Sequence, residues 1–380
     1  MKQIKTDNRH TVRLKTLSPL HIGVSQENWW QKGLDYIHKE DKIYLLDNQK
    51  LFEMLSEQEM DNLVAYLSRG DMESFSNYIL SQNHLDLEKL SSHSFDYQGY
   101  APSEIRPMMN SQTANGRKIY LASSSLKGSV RTAFLADLIF ENDHFATQKR
   151  NLGSEHRYKR GQFNFSDTQV QKHYLGRDAK NDVFRLVRFS DFYFSDTECN
   201  RLQILNLMGR DKWDFKSESA YLECVKKNQV SEGTLQIPEK LKEVTSKSQI
   251  KHTERINPER LCEIINANAL DLLDNEVNFW KGKFDIPIFV DEYLESLKQI
   301  KEIAQECKGK RGQCVLRVGS GSGWEFITGA WTKAKLNDDD WNLLQPSLRK
   351  KDYSDNVPFP KTRKLTQNNE PLGFLKMDIF

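Results

Sequence analysis

A glycine-rich loop follows directly after a strand-like segment near the C-terminal end of the sequence. It is formed by Gly319, Ser320, Gly321, Ser322 and Gly323, and it ends at Trp324. Glycines let a backbone approach a ligand closely, and successive N–H groups in such a loop can line a phosphate chain. Trp324 adds a ring that can stack on a base, an interaction of roughly 1–3 kcal/mol. A plain turn between two strands explains the same residues, with Trp324 as its packed anchor, so both interpretations stay open.

The same loop lacks the features of a nucleotide-cofactor site. The sequence around it holds no G-x-x-x-x-G-K-[ST] pattern, and the residues behind it, EFITGAW (325–331), favour a strand over a helix. A dinucleotide site needs a helix at that position to hold the pyrophosphate at its N-terminus. We therefore expect no ATP or NAD site, and we predict no cofactor.

Three serines before a predicted helix form a second candidate site. Ser123, Ser124 or Ser125 can cap the helix by accepting hydrogen bonds from its first N–H groups. The start of a helix is also favourable for anions, and Lys127 and Arg131 share one face of it because they lie four residues apart. The pattern predicts a phosphate-binding surface, and its alternative is an ordinary amphipathic helix with two solvated cations.

Catalytic patterns are weak throughout the sequence. His21 lies in SPLHIG without a serine or cysteine nucleophile beside it, and Asp35 has no second carboxylate at metal-ligand spacing. The acidic stretch 337–342 is typical of a solvated turn. We therefore predict that the protein is not an enzyme and holds no metal. The alternative is metal- or histidine-dependent catalysis by Asp35 or His21.

The composition indicates a globular protein that does not enter a membrane. The 380 residues are 38% hydrophobic and 28% charged, and the net charge is +2. No apolar run approaches the roughly 18 residues of a membrane span, and the first residues lack the apolar core of a signal peptide. The five cysteines are scattered without a C-x-x-C pair, which argues against disulfides and a cysteine zinc site. We expect a cytoplasmic location.

Strand and helix patterns alternate along the chain and predict an α+β fold. Strands are predicted around 11–17, 42–46, 220–237 and 371–380, and helices at 47–70, 123–140, 257–280 and 290–307. A polar, locally basic stretch near 141–181 is predicted to be a linker or an exposed insertion. We predict two domains, 1–181 and 182–380, as two copies of one small α+β fold.

Three stretches, in order along the chain, resemble one family. They are LKTLSPLHIG (14–23), SSLKGSVRTAF (124–134) and RVGSGSGW (317–324). In these stretches the chain resembles the RAMP superfamily of CRISPR-associated RNA-binding proteins. Adding FRLVRFSDF, YLECV, FPKTRKL and PLGFLKM, the series resembles the fifth subunit of type III-A Csm effector complexes. The resemblance implies two ferredoxin-like, RRM-type RAMP domains with helical and loop insertions.

The same resemblance implies where RNA binds. The family's glycine-rich loop and its cationic middle motif contact the crRNA, so the implied RNA-binding residues are Ser124, Ser125, Lys127, Arg131, Arg317, Gly319, Ser320, Gly321, Ser322, Gly323 and Trp324. The related backbone subunit cleaves target RNA with an aspartate after its first strand. Asp35 lies near that place, but its surroundings, WWQKGLDYIHK, depart from the backbone subunit's pattern.

The implied partners follow from the same resemblance. They are the 3′ part of a crRNA and the repeated backbone RAMP subunit, with the small helical subunit and host trimming nucleases as further candidates. The implied function is a structural subunit that caps the crRNA 3′-end region and supports crRNA maturation and antiviral defence without cutting RNA. The alternatives within the family are a metal- or histidine-dependent endoribonuclease that uses Asp35 or His21, and the RAMP subunit that grips the crRNA 5′ tag.

Overall fold

The structure is a computed structural model, and it describes residues 7–82, 84–97, 99–100, 102–113, 116–155, 163–208, 212–238, 250–281, 287–348 and 359–380. The strands are β1 (Asp7–Thr16), β2 (Trp30–Gln31), β3 (Tyr36–Lys39), β4 (Lys42–Leu46), β5 (Ser91–Asp96), β6 (Glu104–Ile105), β7 (Asn110–Thr113), β8 (Gly116–Leu121), β9 (Gly153–Glu155), β10 (Phe163–Phe165), β11 (Arg188–Phe189), β12 (Phe192–Phe194), β13 (Thr197–Met208), β14 (Lys212–Val225), β15 (Val230–Pro238), β16 (Gln313–Arg317), β17 (Thr362–Leu365) and β18 (Phe374–Ile379).

The α-helices are α1 (Asn48–Met54), α2 (Glu57–Arg69), α3 (Met72–Ser81), α4 (Leu87–Leu90), α5 (Ser123–Glu141), α6 (Thr168–Leu175), α7 (Pro258–Trp280), α8 (Ile288–Cys307), α9 (Thr332–Lys335) and α10 (Asp338–Leu348). Within the described ranges, none of these helices is both long enough and apolar enough to cross a bilayer.

A central antiparallel sheet organises the chain, with strand order β11-β15-β1-β18-β16. Buried and exposed side chains alternate along β1: Val12 and Leu14 are buried, and Arg13 and Lys15 face outward. The apolar face of the sheet packs against the buried stripes of α5 and α7 in one core. The elements β1, α5, β11, β15, α7 and β18 therefore form a βαββαβ unit, and the prediction of an α+β, ferredoxin-like fold is confirmed.

Long insertions separate the elements of this unit. Residues 17–122 lie between β1 and α5 and carry β2–β8 and α1–α4, with a separate small core under α2 and α3. Residues 239–373 separate β15 from β18 and include α7, α8 and β16. The boundary near residue 181 stays a prediction. A division there would separate β1 from its hydrogen-bonded partners β15 and β18.

Several local predictions need correction. The stretch 47–70 forms two helices, α1 and α2, because Ser56 starts the second one with a capping box to Glu59. Gly70 ends α2 in the left-handed conformation, as the sequence indicates. Part of the stretch predicted as linker forms β9, β10 and α6, and α6 contributes Val170 and Leu175 to the main core. Residues 156–162 of that stretch lie outside the described residues.

Candidate nucleic-acid interface

The three motif stretches, which are far apart in sequence, meet at one end of the central sheet. The hydroxyl of Ser129 on α5 donates to the carbonyl oxygen of Arg317 on β16 at 2.7 Å. The backbone N–H of Ser320 donates to the carbonyl oxygen of His21 at 2.9 Å. The fold therefore fastens the glycine loop, which we define as residues 319–323, to the segment after β1, and it fastens the strand that leads into this loop to α5.

The three glycines of this loop have different surroundings. All are in the left-handed region, with φ of +89° at Gly319, +85° at Gly321 and +76° at Gly323. A Cβ atom at Gly319 would lie 2.5 Å from the His21 carbonyl oxygen, and one at Gly321 would lie 3.3 Å from Leu372 Cδ1. A Cβ at Gly323 would meet nothing within 4 Å. The first two glycines thus serve packing against the protein itself, and Gly323 faces open space.

Arg317 supports the glycine loop from beneath. Its side chain is only 8% exposed, and its guanidinium lies 4.6 Å from the Phe326 ring centre and 4.7 Å from that of Phe374. Arg317 Nε donates to the Leu372 carbonyl at 2.8 Å, and Nη2 donates to the Gly321 carbonyl at 3.2 Å. The guanidinium is enclosed by rings and donates to backbone carbonyls of the protein, which indicates a supporting role, and direct contact of Arg317 with RNA stays a prediction.

A buried ion pair lies beside Arg317. Glu276 Oε1 accepts from Arg363 Nε at 2.6 Å, from Trp280 Nε1 at 2.9 Å and from the Tyr293 hydroxyl at 3.2 Å. Burial acts to raise the pKa of the Glu276 carboxyl, but the charge and hydrogen bond of Arg363, the hydrogen bond of Trp280 and the charge of Arg317 together outweigh it and leave that pKa below its usual value. The carboxylate is therefore held ionised under the loop, where it balances part of the buried positive charge.

Trp324 packs against other aromatic rings of the protein. Its ring centre lies 5.6 Å from that of Trp341 and 4.9 Å from that of Phe359. Residues Trp324–Phe326 form a 3₁₀ helix and α9 follows shortly after, so the prediction of a strand at 325–331 is wrong. Trp324 remains half-buried, and this packing supports the role of a loop anchor more than that of a free stacking platform.

Helix α5 begins without a serine cap. The N-cap residue is Ala122, and Asp191 Oδ1 accepts from the backbone N–H of Ser123 at 2.7 Å. The prediction that one of the three serines caps this helix is therefore wrong, because an aspartate from the β11–β12 connection does so. This carboxylate occupies the favourable anion position at the helix start. Ser124 is exposed on the first turn, and Ser125 is half-buried.

Lys127 and Arg131 lie on one side of α5 and differ in their partners. Arg131 donates to Gln171 Oε1 at 2.7 Å and to Asp182 Oδ2 at 3.1 Å, so its charge is already paired. Lys127 is half-buried and makes no ion pair with any described residue. Burial lowers the pKa of the Lys127 ammonium, although the nearby charge of Asp182 acts in the opposite direction. Lys127 is thus the cation of this motif that an anionic ligand can still neutralise.

Gly128 lies beside Lys127 on the outer surface of α5. Residues of a helix advance by about 100°, so Gly128 and Ser124 form the exposed ridge, with Ser129 on one side and Lys127 on the other. Gly128 is exposed and a Cβ there would meet nothing within 4 Å, so no packing inside the protein requires a glycine. Glycine in a helix interior costs roughly 0.5–1 kcal/mol relative to alanine. Gly128 was not among the residues predicted from the sequence, where its clue is a glycine inside a helical pattern.

Comparison with known proteins assigns the family. A family model of the RAMP superfamily matches residues 13–326, which is most of the chain. The chain belongs to the RAMP superfamily. None of the curated proteins matches its sequence.

Two solved structures show the same fold as this RAMP chain. A chain from the cryo-EM structure of a Csm-crRNA-target RNA ternary complex of a type III-A CRISPR-Cas system is 19% identical, with a TM-score of 0.69, and the match covers 97% of this chain and 100% of that one. The crystal structure of T. onnurineus Csm5 is 16% identical, with a TM-score of 0.58, and the match covers 96% and 99% of the two chains. The shared fold therefore extends over almost the whole chain, insertions included.

The candidate catalytic residues of this RAMP chain have structural partners. His21 is 2% exposed, its Nδ1 lies 2.7 Å from the Glu223 carbonyl oxygen, and burial lowers the pKa of its imidazole. Asp35 Oδ2 accepts from the Gln31 backbone N–H at 2.7 Å, and burial raises the pKa of this carboxyl. Within the described ranges, no three histidine, cysteine, aspartate or glutamate side chains come together as metal ligands do.

Proposed function

We propose that this RAMP chain is an RNA-binding structural subunit of a type III-A CRISPR effector complex. In this proposal it caps the end of the assembly that carries the 3′ part of the crRNA, and it supports crRNA maturation and antiviral defence without cutting RNA. The observation that carries the proposal is the Ser129–Arg317 hydrogen bond, which joins α5 to the strand that leads into the glycine loop. The full-length likeness to a chain of a Csm-crRNA-target RNA complex gives it further support.

The proposed RNA path follows the exposed ridge of α5. Gly128 leaves room for a sugar-phosphate backbone beside Lys127, and Ser322 and Gly323 belong to the loop that follows β16, the strand bonded to Ser129 of α5. None of these groups reads the edge of a base. A capping subunit must accept any spacer sequence, and phosphate and sugar contacts do not depend on sequence.

The proposal that the chain does not cleave RNA is supported by the positions of His21 and Asp35. A general base must reach the proton that it removes, and the buried His21 ring is bonded to the backbone of β14. Asp35 holds its own turn together. Substituting each by alanine in the assembled complex tests this proposal: an unchanged RNA-cleavage pattern supports it, and loss of a cleavage product with either variant contradicts it.

The partners remain proposals of the same kind. We propose that the chain contacts the repeated backbone RAMP subunit and the 3′ part of the crRNA in the cytoplasm, with the small helical subunit and host trimming nucleases as further partners. Complexes assembled without this chain should then carry crRNAs with altered 3′ ends. Unaltered 3′ ends together with loss of the 5′ tag would instead support the subunit that grips the 5′ tag.

Gly128→Ala tests the RNA path directly. The added methyl group should stabilise α5 by roughly 0.5–1 kcal/mol, because alanine is the better helix former and its Cβ meets no protein atom. The same methyl group should weaken binding of single-stranded RNA, because it separates the helix from the RNA backbone. Unfolding and RNA affinity are measured on the same preparation. A variant that is more stable and binds RNA with unchanged affinity contradicts the proposed path.

A further inference from the structure

The second face of the central sheet is open where β11, β15 and β1 run side by side. Opposite residues of antiparallel strands share a face, so the register of these strands defines which side chains lie there. The open face consists of Arg188, Gln236, Arg9, Thr234, Thr11, Glu232, Arg13, Val230 and Lys15, and it is bordered on β18 by the half-buried Lys376 and the buried Asp378. The alternate residues of the same strands, such as Val12, Leu14 and Leu235, lie in the core on the side of α5 and α7.

Positive charge exceeds negative charge among the described side chains of this face. Arg13 pairs with Glu232 at 2.8 Å, and Lys376 pairs with Asp378 at 2.6 Å. Arg9, Lys15 and Arg188 are exposed and make no ion pair with any residue that the structure describes. These three side chains therefore give the face three positive charges that the two acids do not neutralise.

The cations are arranged as a row. Side chains on one face of a strand repeat at about 6.6 Å, so Arg9, Arg13 and Lys15 extend over about 20 Å of β1. Arg188 continues the row across β15 to the edge strand β11, since Arg188 and Arg9 both lie opposite Gln236. The charge of Arg188 also acts on Lys127 of α5. The edge strand β11, which carries Arg188, packs against α5, so the row of cations ends near the helix of the proposed RNA path.

The composition of the face favours a polyanion over a protein partner. Protein interfaces have an apolar centre with aromatic side chains and few lysines. Here the exposed apolar side chains, within the described ranges, are Val230 and Phe380. Phe380 lies near Arg13, whose guanidinium is 5.6 Å from the ring centre, and it is 65% exposed. An exposed ring among cations is suited to stack on a base beside the phosphates.

We propose that the open face of the central sheet is a second RNA-binding surface, which takes the sugar-phosphate backbone of a single strand along Arg188, Arg9 and Lys15. This inference rests on the proposed RNA-binding function and extends it to a surface whose cations were not among the RNA-binding residues predicted from the sequence. The interactions are sequence-independent and chiefly electrostatic, so affinity at this surface falls steeply with salt.

The test combines Arg9→Gln, Lys15→Gln and Arg188→Gln in the full chain. Binding of a labelled single-stranded RNA is measured over a range of salt concentrations. The slope of log affinity against log salt changes by about 0.7 for each single-strand phosphate that the protein no longer neutralises, so the triple variant should have a slope smaller by about 2. A control with Lys39→Gln, Lys89→Gln and Lys298→Gln removes the same charge from exposed positions on other elements, and its slope should stay near that of the wild type.

Each outcome separates this inference from the function on which it rests. If the wild type binds RNA and the triple variant has the slope of the control, the open face does not bind RNA. If the wild type binds no RNA at all, the proposed function itself fails. A triple variant that keeps wild-type RNA binding but no longer joins the assembled complex would show a protein-docking face, and this also overturns the inference. Circular dichroism checks that both triple variants are folded.

Discussion

Gly319 and Gly323 make a matched pair for testing how the glycine loop is built. Both have positive φ, so alanine at either position costs roughly 1–2 kcal/mol of backbone strain. At Gly319 the new Cβ would also lie 2.5 Å from the His21 carbonyl oxygen, which must move away. That movement breaks the bond from Ser320 N–H to the same oxygen and leaves a buried acceptor unsatisfied, at a cost of roughly 1–3 kcal/mol.

We therefore expect Gly319→Ala to lower the free energy of unfolding by about 2–5 kcal/mol, and Gly323→Ala by about 1–2 kcal/mol. Urea unfolding followed by circular dichroism measures both. Among the folded proteins, Gly323→Ala should weaken RNA binding more than Gly319→Ala, because the Cβ at position 323 faces outward, where the RNA is proposed to pass. Equal destabilisation by the two substitutions would refute the packing of the loop against the segment after β1.

The remaining predictions concern the supports of the loop and the free cation of α5. Glu276→Gln should cost about 3–5 kcal/mol near neutral pH, because it leaves Arg363 buried without its carboxylate. Folding lowers the pKa of the Glu276 carboxyl below its ordinary value of 4.5. The stability that this carboxylate contributes is therefore present above pH 4.5 and is lost as the pH falls through the lower folded pKa. Urea unfolding at several pH values should show this loss in the wild type and not in the variant. Ser129→Ala should cost about 1 kcal/mol in thermal unfolding, and no cost would contradict the α5–β16 bond. Lys127→Gln should reduce the salt slope of RNA binding by about 0.7, and an unchanged slope would exclude a phosphate interaction there.

Much of the fold could be predicted from periodicity. The alternation of β1 and the capped, amphipathic pattern of α7 are local properties, and both elements form where the sequence indicates. The order of strands in the central sheet is not local. Strand β1 pairs with β15 and β18, which lie more than 200 residues later, and nothing in a strand's own sequence names its partner.

The candidate site shows the same division. The sequence indicated the glycine loop and the cationic motif of α5, but not which of their residues face solvent. Arg317 is buried because Phe326 and Phe374 enclose its guanidinium, which is a tertiary arrangement. The cap on α5 comes from Asp191, 68 residues after the N–H that it accepts from, so the three serines could not reveal it. The open sheet face was missed because its cations come from strands that are far apart in the chain.

Site-resolved crosslinking of the complex assembled with crRNA tests the central claim most directly. We predict crosslinks from peptides containing Lys127 and residues 322–324 to nucleotides in the 3′ part of the crRNA. Crosslinks from the same peptides to the 5′ tag, or an absence of crosslinks while the chain is present in the complex, would contradict the proposed function.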